Sequence, residues 1–222
     1  MGLSATGATL ADLGTSSGAT GSRSTPISAA EALERLTSGN RRYASGKAVN
    51  CNNNYNRRAE VAGRQAPFAI VLGCSDSRVP PEVIFDQRLG DLFVIRVAGN
   101  VLDDFGIGSI EYAVDHFKPP LLLVLGHEHC GAVQAAVEAS EAGHSQPAGY
   151  VGRIVAAIAP AVQAVAGRSG DTVDNAVRQN VEMVARRLPD ASPVIRKASH
   201  DKTLRIVGAR YGLSDGTVTI IS

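Results

Sequence analysis

The chain has 222 residues, 44% of them hydrophobic, which is enough for one domain with a substantial core. Its 22 basic and 21 acidic residues give a net charge of +1, and no uninterrupted apolar stretch reaches the ~18 residues of a membrane-spanning helix. We therefore expect no nucleic-acid partner and no membrane span. The three cysteines are too few for a disulfide framework, and their number is odd.

The start of the chain differs in composition from the rest. Residues 1–25 are rich in Gly, Ala, Ser and Thr, and they lack the charged start and apolar core of an intact signal peptide. We predict a flexible tail over residues 1–27 and a single folded domain over residues 28–222. The expected compartment is the cytoplasm, with a processed export or targeting tail as the alternative.

Helices and strands alternate along the predicted domain. Ser28 and Glu31 form the capping box of a first helix that extends to about Ser38, and residues 39–66 are predicted to be polar loop with a short helix. Strands are predicted at residues 68–72, 92–97, 121–125 and 204–210. Helices are predicted at residues 107–117, 131–141, 150–166 with a break at Pro160, and 172–188 with an end at Pro189. The chain closes with a hairpin that turns at residues 214–216.

Two of the predicted strands, residues 68–72 and 121–125, are continuous apolar runs. Runs of this kind are typical of strands buried on both faces of a parallel sheet. Together with the alternation of helices and strands, they predict an α/β fold with a mainly parallel central β-sheet flanked by helices.

A glycine and then a polar block follow each of these two runs. The blocks are CSDSR at residues 74–78 and HEHCG at residues 127–131. Because parallel strands end at one edge of the sheet, both blocks are delivered to the carboxyl edge, where open α/β folds build their sites. Thiolate and imidazole are ligands that zinc favours, and three protein ligands leave a fourth position for water, as in catalytic zinc sites. We predict zinc ligands Cys74, His127 and Cys130.

The second block contains two histidines, and spacing alone leaves the choice open. His127 is three residues from Cys130, so the two side chains can converge where a strand turns into a helix. His129 is adjacent to Cys130 and its side chain diverges, which makes His127 the favoured ligand. Cys130 also begins a predicted helix, whose free amides and dipole favour a thiolate.

Asp76 and Arg78 lie two residues apart beside Cys74. A carboxylate next to a metal-bound water can accept its hydrogen bond, and an arginine can keep that carboxylate ionised and hold it through two hydrogen bonds. We predict a catalytic pair, with a simple salt bridge as the alternative interpretation.

These motifs resemble those of the β-class carbonic anhydrases. The resemblance rests on CSDSRV at residues 74–79 paired with GHxxCG at residues 126–131, and it extends over roughly residues 30–222. It includes Asp86-Gln87 and the segments at residues 90–96, 98–100, 108–113 and 206–211.

The resemblance implies an enzyme, a carbonic anhydrase, that reversibly hydrates CO2 to bicarbonate and a proton with a zinc-bound hydroxide. The residues it implies are the zinc ligands Cys74, His127 and Cys130, the catalytic dyad Asp76 and Arg78, and the substrate-binding residues Gln87 and Gly131. It also implies an N-terminal helical arm that embraces a partner in a homodimer or a dimer-based tetramer. In some members the dyad aspartate binds zinc directly and closes the site.

Two other functions are compatible with the same residues. A carbon disulfide or carbonyl sulfide hydrolase would use the same zinc site on the same fold, and the width of the pocket would decide. A non-catalytic structural zinc module would need a fourth protein ligand, for which Cys51 is the remaining thiol of the chain.

Overall fold

The computed structural model describes residues 27–50, 55–143 and 147–221. The strands within them are β1 Ala69–Gly73, β2 Leu92–Arg96, β3 Leu121–His127, β4 Arg205–Tyr211 and β5 Val218–Ile220. They form one sheet in the order β2-β1-β3-β4-β5, in which the first four strands are parallel and β5 is antiparallel to β4. The predicted mainly parallel sheet and its closing hairpin are therefore confirmed.

Helices cover both faces of this sheet. They are α1 Ala29–Ala44, α2 Tyr55–Val61, α3 Pro81–Ile84, α4 Asp104–Phe117, α5 Gly131–Glu141, α6 Tyr150–Ala164, α7 Thr172–Ala191 and α8 Pro193–His200. A 3-10 turn, Ala98–Asn100, follows β2. The predicted flanking helices are thus confirmed, including the short helix within residues 39–66, which is α2, and α3 and α8 are short additions to the predicted set.

The two faces of β1 and β3 enter two different hydrophobic clusters because side chains alternate along a strand. Val71 and Leu123 pack with Leu36 of α1 on one face. On the other face Leu72 and Val124 pack in a cluster with residues of α4, α7 and α8. Both strands are buried over their whole length, as their continuous apolar sequence predicts, and they form a rigid base for the residues that follow them.

The first helix is longer than predicted. The capping box of Ser28 and Glu31 is present, but α1 continues to Ala44 rather than ending near Ser38. The polar residue Asn40 is buried within the extension, where its amide nitrogen donates to the carbonyls of Ile84 and Gly216 at 3.0 and 2.8 Å. The predicted end of the helix was wrong because a polar residue such as Asn40 is typical of loops. Here its amide group can be buried in a helix because long-range hydrogen bonds pair it.

Two prolines also lie inside helices that they were predicted to break or end. α6 passes through Pro160, and α7 passes through Pro189 to Ala191. A proline lacks the amide hydrogen for one helical hydrogen bond, and Pro189 stands close enough to the end of α7 that only the last turn is affected. Ser192 then caps α8 by accepting a hydrogen bond from the Ile195 amide at 3.2 Å.

Several sequence predictions fall on residues that the structure does not describe. Most of the predicted tail and Cys51 lie outside the described ranges. Within those ranges, none of the helices combines the length and the apolar character needed to cross a membrane.

Candidate metal centre and active site

The carboxyl ends of β1 and β3 bring three potential metal ligands together. The strands are adjacent and parallel, with Gly73 in register with Leu125. Cys74 follows β1, His127 is the last residue of β3, and Cys130 is the N-cap of α5. One ligand atom from each of the three lies within 4.8 Å of the others, and all three residues are buried.

The two thiols are close but not bonded. Their Sγ atoms are 4.0 Å apart, and both cysteines are free. The hydrogen bond between them lowers the pKa of Cys74 and raises the pKa of Cys130. The Gly99 amide donates to Cys74 Sγ at 3.3 Å, which stabilises negative charge on that sulfur. The backbone of Ala132 and Val133 at the start of α5 favours the thiolate of Cys130, but the hydrogen bond with Cys74 and burial outweigh it, so the pKa of Cys130 is raised.

The ring of His127 is oriented with one nitrogen toward the cluster. Its Nδ1 pairs with the carbonyl of Glu128 at 2.8 Å, and its Nε2 is buried without a hydrogen-bond partner. Burial disfavours the charged imidazole, but the negative charges of Cys74 and Asp76 and the hydrogen bond with the Glu128 carbonyl act against burial, and the pKa of His127 is raised. His129 is exposed, with φ at +50°, and is not part of the cluster.

This donor set fits a zinc ion. Zinc–sulfur bonds of about 2.3 Å in a tetrahedral centre place two sulfurs about 3.8 Å apart, close to the separation found here. The unpartnered His127 Nε2 would gain a partner, and a buried polar atom without one is costly. Among the residues that the structure describes, the cluster contains no fourth His, Cys, Asp or Glu.

Asp76 and Arg78 form a pair at the rim of this cluster. Arg78 donates from Nε and Nη2 to the two carboxylate oxygens of Asp76 at 2.9 and 2.7 Å, and its backbone amide donates to Oδ1 at 2.9 Å. The hydrogen bond from the Arg78 side chain is the main reason that the pKa of Asp76 is lowered. Asp76 Oδ2 is 3.8 Å from His127 Nε2, so the ionised carboxylate faces the cluster.

Arg96 and Asn180, which were not predicted from the sequence as site residues, stabilise the backbone around the cluster. Arg96, at the end of β2, donates to the carbonyls of Cys74 and Asp76 at 2.8 and 2.5 Å. Asn180 of α7 donates to the carbonyl of Gly99 at 2.9 Å, and Gly99 in turn contacts Cys74. A charged residue directly after the apolar run of β2 was a sequence signal for Arg96, whereas no local pattern marks Asn180.

The comparisons with known proteins agree with this geometry. The sequence profile of the carbonic anhydrase family matches residues 69–218. The chain is 41% identical to carbonic anhydrase of Mycolicibacterium smegmatis over 201 residues, which are 90% of this chain and 95% of that protein. It is 41% identical to carbonic anhydrase 2 of Mycobacterium tuberculosis over 196 residues, 88% of this chain and 92% of that protein.

Solved structures show the same fold. A Coccomyxa β-carbonic anhydrase in complex with acetazolamide aligns with a TM-score of 0.65 and 29% identity, over 85% of this chain and 86% of that one. A tetrameric β-carbonic anhydrase of Sordaria macrospora aligns with a TM-score of 0.66 and 25% identity, over 86% of this chain and 98% of that one.

The chain belongs to the β-carbonic anhydrase family. It is accordingly a lyase, and the activity of the family is the hydration of CO2. The Cys74–His127–Cys130 cluster is the part of this carbonic anhydrase that could bind a metal.

The two predicted substrate-binding residues occupy different places. Gly131 is the first residue of α5, directly after Cys130, and a side chain added to it would meet nothing within 4 Å. Gln87 is buried against α1, where its amide donates to the carbonyls of Phe85 and Arg35 at 2.6 and 3.4 Å. Gly131 therefore borders the cluster, whereas the hydrogen bonds of Gln87 are made elsewhere in this carbonic anhydrase.

Proposed function

We propose that this chain hydrates CO2 reversibly to bicarbonate and a proton, with zinc held by Cys74, His127 and Cys130 and with Asp76 and Arg78 as a catalytic dyad. The observation that carries the proposal is the set of three buried donors within 4.8 Å of one another, one of which is an unpartnered imidazole nitrogen. Two sulfurs and one imidazole suit zinc better than calcium or magnesium, which prefer oxygen ligands.

The protein's own residues supply the orientation that the reaction needs. A zinc ion at this site would act as a Lewis acid that lowers the pKa of a water molecule to about 7 and so makes a nucleophile available at neutral pH. Asp76 remains ionised because Arg78 binds both of its oxygens. An ionised carboxylate can only accept hydrogen bonds, so Asp76 would fix the direction of the reacting water's hydrogen.

The position of the Asp76 carboxylate favours an open site. Both of its oxygens accept hydrogen bonds from Arg78, and neither belongs to the group of ligand atoms that lie within 4.8 Å of one another. To complete the zinc coordination, the carboxylate would have to move toward the two cysteines. We therefore propose that the fourth position is available to solvent and substrate, and that the Gly131 amide faces it.

We further propose a homodimer or a dimer-based tetramer as the working form. β2 is an edge strand of the described sheet, and its residues Leu92, Phe93, Val94 and Ile95 are only partly covered. An apolar edge strand of this kind is normally paired or covered. Gln87 makes its hydrogen bonds away from the cluster of its own chain, so a role in substrate binding would be performed across a subunit boundary. The similar β-carbonic anhydrases of Sordaria macrospora are tetrameric.

The direct test combines metal analysis with activity on three substrates. We expect about one zinc per chain in purified protein and rapid CO2 hydration, with little hydrolysis of carbonyl sulfide or carbon disulfide measured side by side. Zinc without CO2 hydration would favour a structural zinc module, and preference for a sulfur substrate would favour the hydrolase alternative. Sedimentation velocity measures the oligomeric state of the same sample.

A further inference from the structure

The turn between His127 and Cys130 carries two of the three ligands, and it is conformationally strained. His129 adopts a left-handed conformation with φ at +50°. A non-glycine residue in this region costs about 1–3 kcal/mol and persists only where the surrounding structure enforces it. Some contact of this turn must therefore hold it in place.

Glu128 makes the contacts that hold the turn. Its backbone amide donates to the Tyr211 carbonyl at 2.9 Å. Its carboxylate oxygen Oε2 accepts three hydrogen bonds, from the Leu213 amide at 2.9 Å and from the amide and hydroxyl of Ser214 at 3.2 Å each. The other oxygen, Oε1, accepts from Arg210 Nη2 at 3.2 Å.

Arg210 links Glu128 to helix α7 through a chain of alternating charges. Its Nε donates to Asp174 Oδ1 at 2.5 Å, and the second oxygen of Asp174 accepts from Arg178 at 2.8 Å. Arg210 is 15% exposed and its two acidic partners are also partly buried, whereas Arg178 at the far end of the network is 40% exposed. Every charge in it has an opposite neighbour, so the loss of one partner would leave another charge partly buried without compensation, which is destabilising.

Glu128 also provides the hydrogen-bond acceptor for His127, one of the proposed metal ligands. The Glu128 carbonyl pairs with His127 Nδ1 at 2.8 Å, which leaves Nε2 as the nitrogen that faces the cysteines. Metal-binding histidines commonly donate their second nitrogen to such an acceptor, and loss of the acceptor weakens metal affinity about 10- to 100-fold. The carboxylate of Glu128 thus fixes the peptide whose carbonyl orients His127.

We propose that Glu128 is a positioning residue of the metal centre, which acts through its carboxylate on the orientation of His127 and on the turn to Cys130. This inference rests on the proposed zinc site. If Glu128 has this role, the affinity of the site for the metal depends on the hydrogen bonds that its carboxylate accepts from Arg210 and from the backbone of residues 213–214.

The test is the variant Glu128→Gln, measured for Zn2+ affinity by chelator competition and for the absorption spectrum of the Co2+-substituted protein. A glutamine has the same size, but in either orientation its NH2 group faces a donor, Arg210 or the amides of Leu213 and Ser214. We expect Zn2+ affinity to fall about 10-fold and the Co2+ bands to shift, because the ligand geometry changes. The matched control is Glu182→Gln, which removes an exposed ion pair with Arg186 on α7 and leaves both readouts unchanged.

The outcomes separate this inference from the proposed function. A wild-type chain that binds no zinc would overturn both. A wild-type chain that binds zinc, together with a folded Glu128→Gln variant of equal Zn2+ affinity and equal Co2+ spectrum, would overturn the positioning role alone, even if thermal stability falls. Should Glu128→Gln not fold, Ser214→Ala removes a single hydrogen bond to Oε2, and we expect about a threefold loss of Zn2+ affinity; no loss would overturn the role of the carboxylate.

Discussion

The two loops that form the metal centre are built in different ways. The loop after β1, residues 74–79, delivers one ligand, and its dyad is held by contacts within the loop and by Arg96 of the neighbouring strand. The turn after β3, residues 127–131, delivers two ligands and is held by residues more than 80 positions away in the sequence, Arg210, Leu213 and Ser214. The first loop is exposed at Arg78, whereas both ligands of the second are buried.

This difference divides the work of the site between the two loops. The first loop places a charged pair at the solvent side, where it can orient a reacting water. The second loop forms most of the metal cage and depends on the tertiary structure for its shape. Substitutions in the second loop should therefore affect metal content, and substitutions in the dyad should affect turnover with the metal retained.

The largest expected effect is that of Cys130→Ser in the second loop. A serine hydroxyl is a poor zinc ligand because it does not readily form the anion that a thiol forms. We expect zinc content, measured by elemental analysis, to fall from about one per chain to a small fraction, and CO2 hydration to fall with it. Cys51→Ser is the control, and zinc that stays at one per chain in Cys130→Ser would refute the ligand assignment.

The next effect is that of Asp76→Asn in the first loop. The amide is neutral and can no longer act as a pure acceptor held by Arg78, so the reacting water loses its fixed orientation. We expect CO2 hydration to decrease about 10²- to 10⁴-fold while zinc content is unchanged. Asp201→Asn, which removes an exposed ion pair with Lys197, is the matched control. Full activity in Asp76→Asn would remove Asp76 from the mechanism.

The glycines that precede the two loops differ in how closely neighbouring atoms pack around them. A Cβ at Gly126 would lie 2.6 Å from Val181 Cγ2 and 3.1 Å from Val177 Cγ1, both on α7, whereas a Cβ at Gly73 would meet its nearest atom, the Leu125 carbonyl oxygen, at 4.0 Å. We expect Gly126→Ala to destabilise the fold by about 1–3 kcal/mol, because α7 must move away from β3. Gly73→Ala should change stability by less than about 0.5 kcal/mol.

Thermal unfolding of the two alanine variants measures this difference. A loss of 1–3 kcal/mol corresponds to a decrease in Tm of roughly 3–10 °C for a chain of this size. Equal Tm values for Gly126→Ala and Gly73→Ala would show that the second loop does not depend on close contact with α7.

The sequence was sufficient for the parts of the site that depend on local pattern. Continuous apolar runs gave β1 and β3, and parallel pairing then requires that Cys74 and His127 meet at one edge. The contacts of Glu128 and Asn180 could not be predicted, because they join residues about 80 apart whose sequence neighbourhoods carry no matching signal. The assignment at Asn40 was wrong for a related reason, because residue propensity describes an isolated segment and tertiary hydrogen bonds outweighed it. Pro189 lies so near the end of α7 that it affects only the last turn and does not end the helix.

The smallest expected effect is the pH dependence of the first loop. The pKa of Asp76 is lowered in the folded protein, chiefly by its hydrogen bond with the Arg78 side chain, relative to about 3.9 in an unfolded chain. A carboxylate with a lowered pKa contributes stability that is fully present above the unfolded pKa and is lost as the pH falls through the folded pKa. In metal-free protein, the difference in unfolding free energy between wild type and Asp76→Asn should therefore not decrease from pH 8 to about pH 5, where protonation of the neighbouring His127 adds to it, and should shrink below about pH 4. The difference should be small, because Arg78 is more than half exposed and solvent screens the pair. A difference that already shrinks between pH 7 and pH 5 would mean that Asp76 is not held ionised by Arg78, and the dyad would lose the feature that distinguishes it from an ordinary surface carboxylate.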